Sequence, residues 1–326
     1  MPARLPRLPQ LLKRKIYKTG QTRGADDDDI YQNRVGRNSI VLIPYQFWNT
    51  ATLLPEGETQ FENGFIVLIK PEIYFGSKDI TSVLAAQSLT LGKNCLVFYE
   101  ARHDWEAYNP DTLGWREARQ RLNPLGGQYV ARIPATTAAN GGAKIVRGYT
   151  TTSLKGAGIR LYEYANTATI QKCRLQLEVI YWLCADSVLV ASRNGMTKSD
   201  AEFRKMAILK ECKQLGLLDY SKLCTTRMIN KDYQTVCPLC LERLSGVGFV
   251  TRMAQAEGRE VTDITVTEIN LFHINELRYG AYNHMPYNLS WGHHHCNTVT
   301  KDSGITKTLE WMKSILERNQ ECGFKI

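Results

Sequence analysis

The sequence predicts an α+β protein: a mixed, β-rich N-terminal portion, a helical bridge and a zinc-stapled C-terminal module. Three observations lead there. Apolar runs rich in branched and aromatic residues, bounded by Gly, Pro and Asn, fill residues 31–195. Across residues 196–235 the apolar period becomes helical. Cys237-Pro238-Leu239-Cys240 is then followed, farther along residues 236–326, by His293 and Cys296, a second ligating pair at the same spacing.

Residues 1–30 form a basic arm with an acidic end. Arg4, Arg7, Lys13, Arg14, Lys15, Lys18 and Arg23 precede the first acid, Asp26, and the run continues to Asp29. Of the whole chain's charges, 41 Lys+Arg stand against 32 Asp+Glu, a balance of +9 that favours an anionic partner. The arm reads either as a solvated tail or as a segment that brings Arg14 and Lys15 to DNA phosphates. The acidic run reads as a loop of solvated charges.

Six windows carry strand character: residues 39–45, 64–70, 91–100, 128–133, 144–151 and 158–164. Residues 51–63 show no clear period, and 135–142 read as a loop between strands. A mixed sheet follows. The apolar run at 174–191 is long enough for either a buried helix or a strand pair. Ser199 with Glu202 has the spacing of a capping box, and Phe203, Met206, Ala207, Leu209 and Leu215 fall near one helical face. Residues 306–319 set Leu309, Met312 and Ile315 or Leu316 on one stripe of a closing helix. No internal repeat is evident.

At 326 residues and 43% hydrophobic, the chain has the size for about two domains. No window approaches the roughly 20 consecutive apolar residues of a bilayer crossing, and the basic start lacks the apolar stretch of a secretory signal. Nine scattered cysteines, an odd number, suit a reducing compartment in which thiols stay available to metal. The expected setting is the cytoplasm, without a membrane partner.

Cys237, Cys240, His293 and Cys296 make a Cys₃His set, a standard structural zinc arrangement. All four positions are protein side chains, so Zn²⁺ here would hold two distant segments together rather than activate water. The paired spacing separates such a set from unrelated reduced core residues.

Five of the six histidines fall between His273 and His295. Leu271-Phe272-His273-Ile274 reads as a strand end, and Tyr287-Asn288-Leu289-Ser290-Trp291 leads into His293, Cys296, Asn297 and Lys301. This order resembles the HNH nuclease family, the ββα-metal or His-Me finger superfamily. The resemblance implies His273 as the general base that deprotonates water, and Asn288 as the residue that orients its imidazole. It further implies Asn297 as a ligand of one catalytic Mg²⁺ and Lys301, one residue late, as a DNA contact. The chemistry is consistent, because phosphodiester hydrolysis needs a base of near-neutral pKa and a divalent ion to stabilise charge on oxygen. One departure stands out: Phe272 occupies the place of a metal-ligating Asp or His. Glu268, Asn270, Asn275, Glu276, His294 and His295 are the nearby alternatives, whereas His284 reads as a loop residue.

The resemblance covers residues 230–310. Before it, Phe61-Glu62-Asn63-Gly64-Phe65-Ile66-Val67-Leu68-Ile69 and Tyr74-Phe75 are similar to N-terminal parts of type II restriction endonucleases of the BstXI-like group. Residues 31–195 would then be a DNA-recognition domain and 236–326 the nuclease domain. The implied enzyme is prokaryotic and cuts a specific, two-fold-symmetric double-stranded DNA site as a homodimer. A homing or other HNH defence endonuclease would share this chemistry, and a non-catalytic zinc-stapled DNA-binding protein, in which the histidines only support the fold, is the reading from another class.

Overall fold

The computed structural model describes residues 5–17, 36–51, 54–133, 145–148, 157–253, 267–301 and 303–324. The chain divides into two compact units, unit 1 from residues 1–19 and 168–326 and unit 2 from residues 20–167. The division falls at 167/168 rather than at 195/196, and the basic N-terminal segment belongs with the C-terminal portion. Arg4, Lys18, Arg23, the acidic run and the expected loop at 135–142 lie outside the described residues.

The chain opens on helix α1 (Gln10–Tyr17), which buries Leu12, Lys15 and Ile16. Unit 2 then runs β1 (Val41–Pro44), α2 (Tyr45–Ala51), β2 (Phe65–Ile69), α3 (Pro71–Gly76), α4 (Ile80–Ala86), β3 (Cys95–Tyr99), α5 (Arg102–Ala107), β4 (Tyr129–Ile133), β5 (Ile145–Arg147) and β6 (Ile159–Arg160). The expected mixed sheet forms with strand order β5-β4-β3-β2-β1-β6, parallel throughout except for the antiparallel β4–β5 pair. Parallel strands are covered on both faces, which is why VLI, FIVLI and CLVFY read as unbroken apolar runs. Leu42, Ile66, Leu68, Leu96, Phe98 and Val130 fill one face, and Val97, Tyr99, Tyr129, Ala131 and Ile133 the other.

The strands are shorter than the windows that announce them. The chain turns helical at Tyr45, and a 3₁₀ turn at Leu161–Glu163 follows β6 at once. Helices α2 to α5, six or seven residues each, are too short to display a helical period in the sequence.

Unit 1 resolves the apolar run at 174–191 as two helices, α6 (Thr167–Trp182) and α7 (Ser187–Arg193), bent by 99° at their junction. Among the described residues, no single helix is long and apolar enough to cross a membrane. Helix α8 (Lys198–Gln214) is capped by Thr197, whose hydroxyl accepts from the Asp200 amide at 3.0 Å, so the cap lies before Ser199. Its buried face is Ala201, Ile208 and Cys212, while Phe203 and Met206 are 50% and 66% exposed, contrary to the expected stripe. With α9 (Tyr220–Thr225) it packs into the core of unit 1. There follow β7 (Ile269–His273), β8 (Leu289–His293), α10 (His294–Thr300) and α11 (Ile305–Glu321). Helix α11 turns Ile305, Thr308 and Met312 inward and leaves Leu309 and Leu316 exposed, a rotation of the expected stripe.

Gly158 leads into β6 at a point where a Cβ would stand 2.3 Å from the Ile40 carbonyl oxygen. Backbone cannot yield there as a flexible side chain would. Gly158→Ala is expected to destabilise unit 2 by about 1–3 kcal/mol, read as a lower urea midpoint at unchanged slope.

Candidate active site and metal centre

Strands β7 and β8 form an antiparallel hairpin in the register Ile269↔His293, Asn270↔Gly292, Leu271↔Trp291, Phe272↔Ser290 and His273↔Leu289. Helix α10 starts at the residue after β8, which completes a β-β-α unit. Helix α6 anchors it: the Trp291 indole N–H donates to the Leu177 carbonyl at 2.8 Å, and the Gln176 side chain links the Tyr287 amide (2.6 Å) to the Leu217 carbonyl (3.0 Å). Trp291, Phe249, Tyr181 and Trp182 continue as a chain of edge-to-face ring contacts with centroids 5.0 to 5.1 Å apart.

At one end of the hairpin the four sequence-predicted ligands come together. Donor atoms of Cys237, Cys240, His293 and Cys296 all lie within 4.8 Å of one another, with Cys240 Sγ 3.4 Å from His293 Nδ1. Burial, then the neighbouring Cys237 and Cys240 sulfurs, push the Cys296 thiol well above its usual range. Burial first of all holds His293 below the usual histidine range, in the neutral form that ligates metal. A dication at the centre would reverse the penalty on the thiolates. The donor set therefore fits a tetrahedral ion.

At the other end stands His273. His273 pairs with Leu289, which lies four steps along β8 from His293, so these two backbone positions are about 13 Å apart along the hairpin. His273 Nε2 is 3.4 Å from Nδ1 of His284, a residue 1% exposed. His284 lies in the loop between β7 and β8, as the sequence suggests, but it is a buried neighbour of His273. Its only trace in the sequence is the density of histidines around it.

Asn288 acts on the chain around His273. Its Oδ1 accepts from the Asn275 amide at 2.7 Å, its Nδ2 donates to the Asn283 carbonyl at 2.6 Å, and its own carbonyl accepts from the Ile274 amide at 2.9 Å. These bonds fix the loop that leaves β7, and through it the start and end of the hairpin turn.

Asn297 is half-buried on α10, and Lys301 follows that helix, exposed, with φ +48°. Phe272 is fully buried, and a Cβ on Gly292 would meet its ring at 2.6 Å, so this side chain is packing and cannot ligate. Among the alternatives, Asn270 donates to His294 Nδ1 at 2.9 Å, and Glu276 pairs with Lys307. Among the described residues, no group of three His, Cys, Asp or Glu donors within 4.8 Å includes His273.

The arm residues part company. Arg14 is exposed on α1, whereas Lys15 is 3% exposed and donates to Thr267 Oγ1 at 2.6 Å and to the Ile269 carbonyl. The expectation that Lys15 meets phosphate is corrected by that enclosure: its ammonium pins α1 to the start of β7. An amphipathic helix hides one charge in a basic run, and the composition of the run cannot reveal which.

A family model of the BstXI restriction endonuclease matches residues 14–294, most of the chain and parts of both units. The chain belongs to the BstXI restriction endonuclease family. No curated protein matches it. A solved structure described as a type II restriction endonuclease is similar at a TM-score of 0.27 and 12% identity over 48% of this chain. The chain covers 57% of that structure's chain.

Two outcomes follow. Cys240 is exposed, so Cys240→Ser removes little packing; it is expected to lose the bound metal and with it a cooperative thermal transition of unit 1, as measured by metal analysis and calorimetry. Asn288→Ala strips partners from the Asn275 amide and the Asn283 carbonyl and is expected to cost about 1–3 kcal/mol with metal content unchanged.

Proposed function

We propose that this protein is a type II restriction endonuclease that hydrolyses phosphodiester bonds at a specific double-stranded DNA site. The observation that carries the reading is the β-β-α unit itself: a Cys₃His donor set closes one end, and His273 ends the first strand at the other. Family membership supports DNA as the substrate.

In this reading the Cys₃His set holds structural Zn²⁺, whose tetrahedral preference matches two thiolates from one turn and an imidazole and thiolate from the β8–α10 junction. His273 takes the proton of the attacking water on Nδ1, since its Nε2 faces His284 Nδ1 at 3.4 Å; that contact sets the orientation of the ring, and Asn288 holds the loop beside it. Asn297 is the side chain that would hold a catalytic Mg²⁺, and such an ion would supply charge stabilisation on the phosphoryl and leaving oxygens. Lys301 and Arg14, both exposed, are the backbone-phosphate contacts of this account. A homodimer places two such sites across a symmetric target, one per strand.

His273→Ala is expected to slow single-turnover cleavage of the cognate duplex by at least about 100-fold while DNA affinity and zinc content stay at wild-type values. A variant that cleaves at the wild-type rate would remove His273 from the reaction.

A further inference from the structure

Unit 2 carries a second cluster of ligating side chains that the reading of unit 1 leaves unused. Strands β2 and β3 are parallel neighbours, and each is followed by a short helix that starts two or three residues beyond the strand. Glu72 comes from α3, and His103 and Asp104 come from α5. The three therefore meet outside the carboxyl ends of adjacent parallel strands, the edge at which open α/β sheets bind their ligands. His103 Nε2 is 3.4 Å from Glu72 Oε1 and 3.3 Å from Asp104 Oδ1, and all three donors lie within 4.8 Å of one another.

Asp104 is what distinguishes this cluster from a surface ion pair. Its side chain is only 9% exposed, and Oδ1, the oxygen that faces His103, is buried without a hydrogen bond of acceptable geometry. Leaving a buried carboxylate oxygen in that state is costly unless a cation completes it. The separations suit one: an ion with tetrahedral bonds of about 2.1 Å sets its donors about 3.4 Å apart. Both helices are also held in place by their rings. Phe75 of α3 stacks on Tyr108, the residue that ends α5, with centroids 4.8 Å and planes 10° apart. Tyr99 at the end of β3 donates to the Tyr108 carbonyl at 2.7 Å. The Lys70 ammonium, at the same edge, lies 3.8 Å from Glu100 and is offset by it.

We propose that Glu72, His103 and Asp104 form a divalent-cation site in unit 2, separate from the Cys₃His centre. One imidazole and two carboxylates select a first-row ion of the Mn²⁺ or Zn²⁺ kind over Mg²⁺ and Ca²⁺, which prefer oxygen alone. Three protein donors leave positions for water or a phosphate oxygen.

The test is Mn²⁺ binding to the full-length, zinc-loaded protein, counted by electron paramagnetic resonance. Asp104→Asn and Glu72→Gln are each expected to bind one Mn²⁺ fewer than wild type, with zinc content unchanged. Glu72 is 62% exposed, so its variant cannot lose the ion by misfolding. An Mn²⁺ count equal to wild type in either variant would overturn the site.

Discussion

The seating of β8 on α6 governs the whole candidate site. Trp291 is 1% exposed, and its indole N–H reaches a carbonyl of α6. A buried indole needs both its apolar contacts and a partner for that N–H, and this placement of the strand supplies both. The same strand begins beside Asn288 and ends at His293. Fixing its middle therefore fixes both ends, the loop around His273 and the metal ligands that open α10. The continuous burial of α6 from Gln176 to Trp182 follows, because the hairpin, α8 and the 3₁₀ turn Gly246–Phe249 share its surface.

Spacing made the metal centre legible. Two x-x pairs constrain four side chains with few alternatives, and Cys237, Cys240, His293 and Cys296 do converge. The sheet of unit 2 was legible for a similar reason, since strands covered on both faces leave unbroken apolar runs. The helices between them left no such mark, because one to two turns cannot show a period. Face was the harder property: Phe203 and Met206 fit an apolar stripe as well as Ala201 and Ile208 do, and packing against α6 and α7 chose the latter. Lys15 and His284 show the remaining limit. Both belong to residue types that are ordinarily solvated or ambiguous; Lys15 is buried by contacts with a segment distant in sequence, and His284 by a loop that Asn288 and Asn283 help to hold.

The two candidate metal sites differ in how many coordination positions protein fills. The Cys₃His set closes every coordination position with protein and so can only staple. Glu72, His103 and Asp104 leave positions open at the edge of a parallel sheet, where a bound ion could meet an anion. In the function proposed for this chain of net charge +9, one set would hold the β-β-α unit rigid and the other would meet phosphate.

The central claim, that the β-β-α unit of this chain cuts DNA at a specific sequence, is tested most directly by digesting a long duplex of known sequence with the purified protein and Mg²⁺ and sequencing every end produced. The account predicts discrete ends that share one sequence and one stagger. Intact duplex, or ends distributed without regard to sequence, would contradict it.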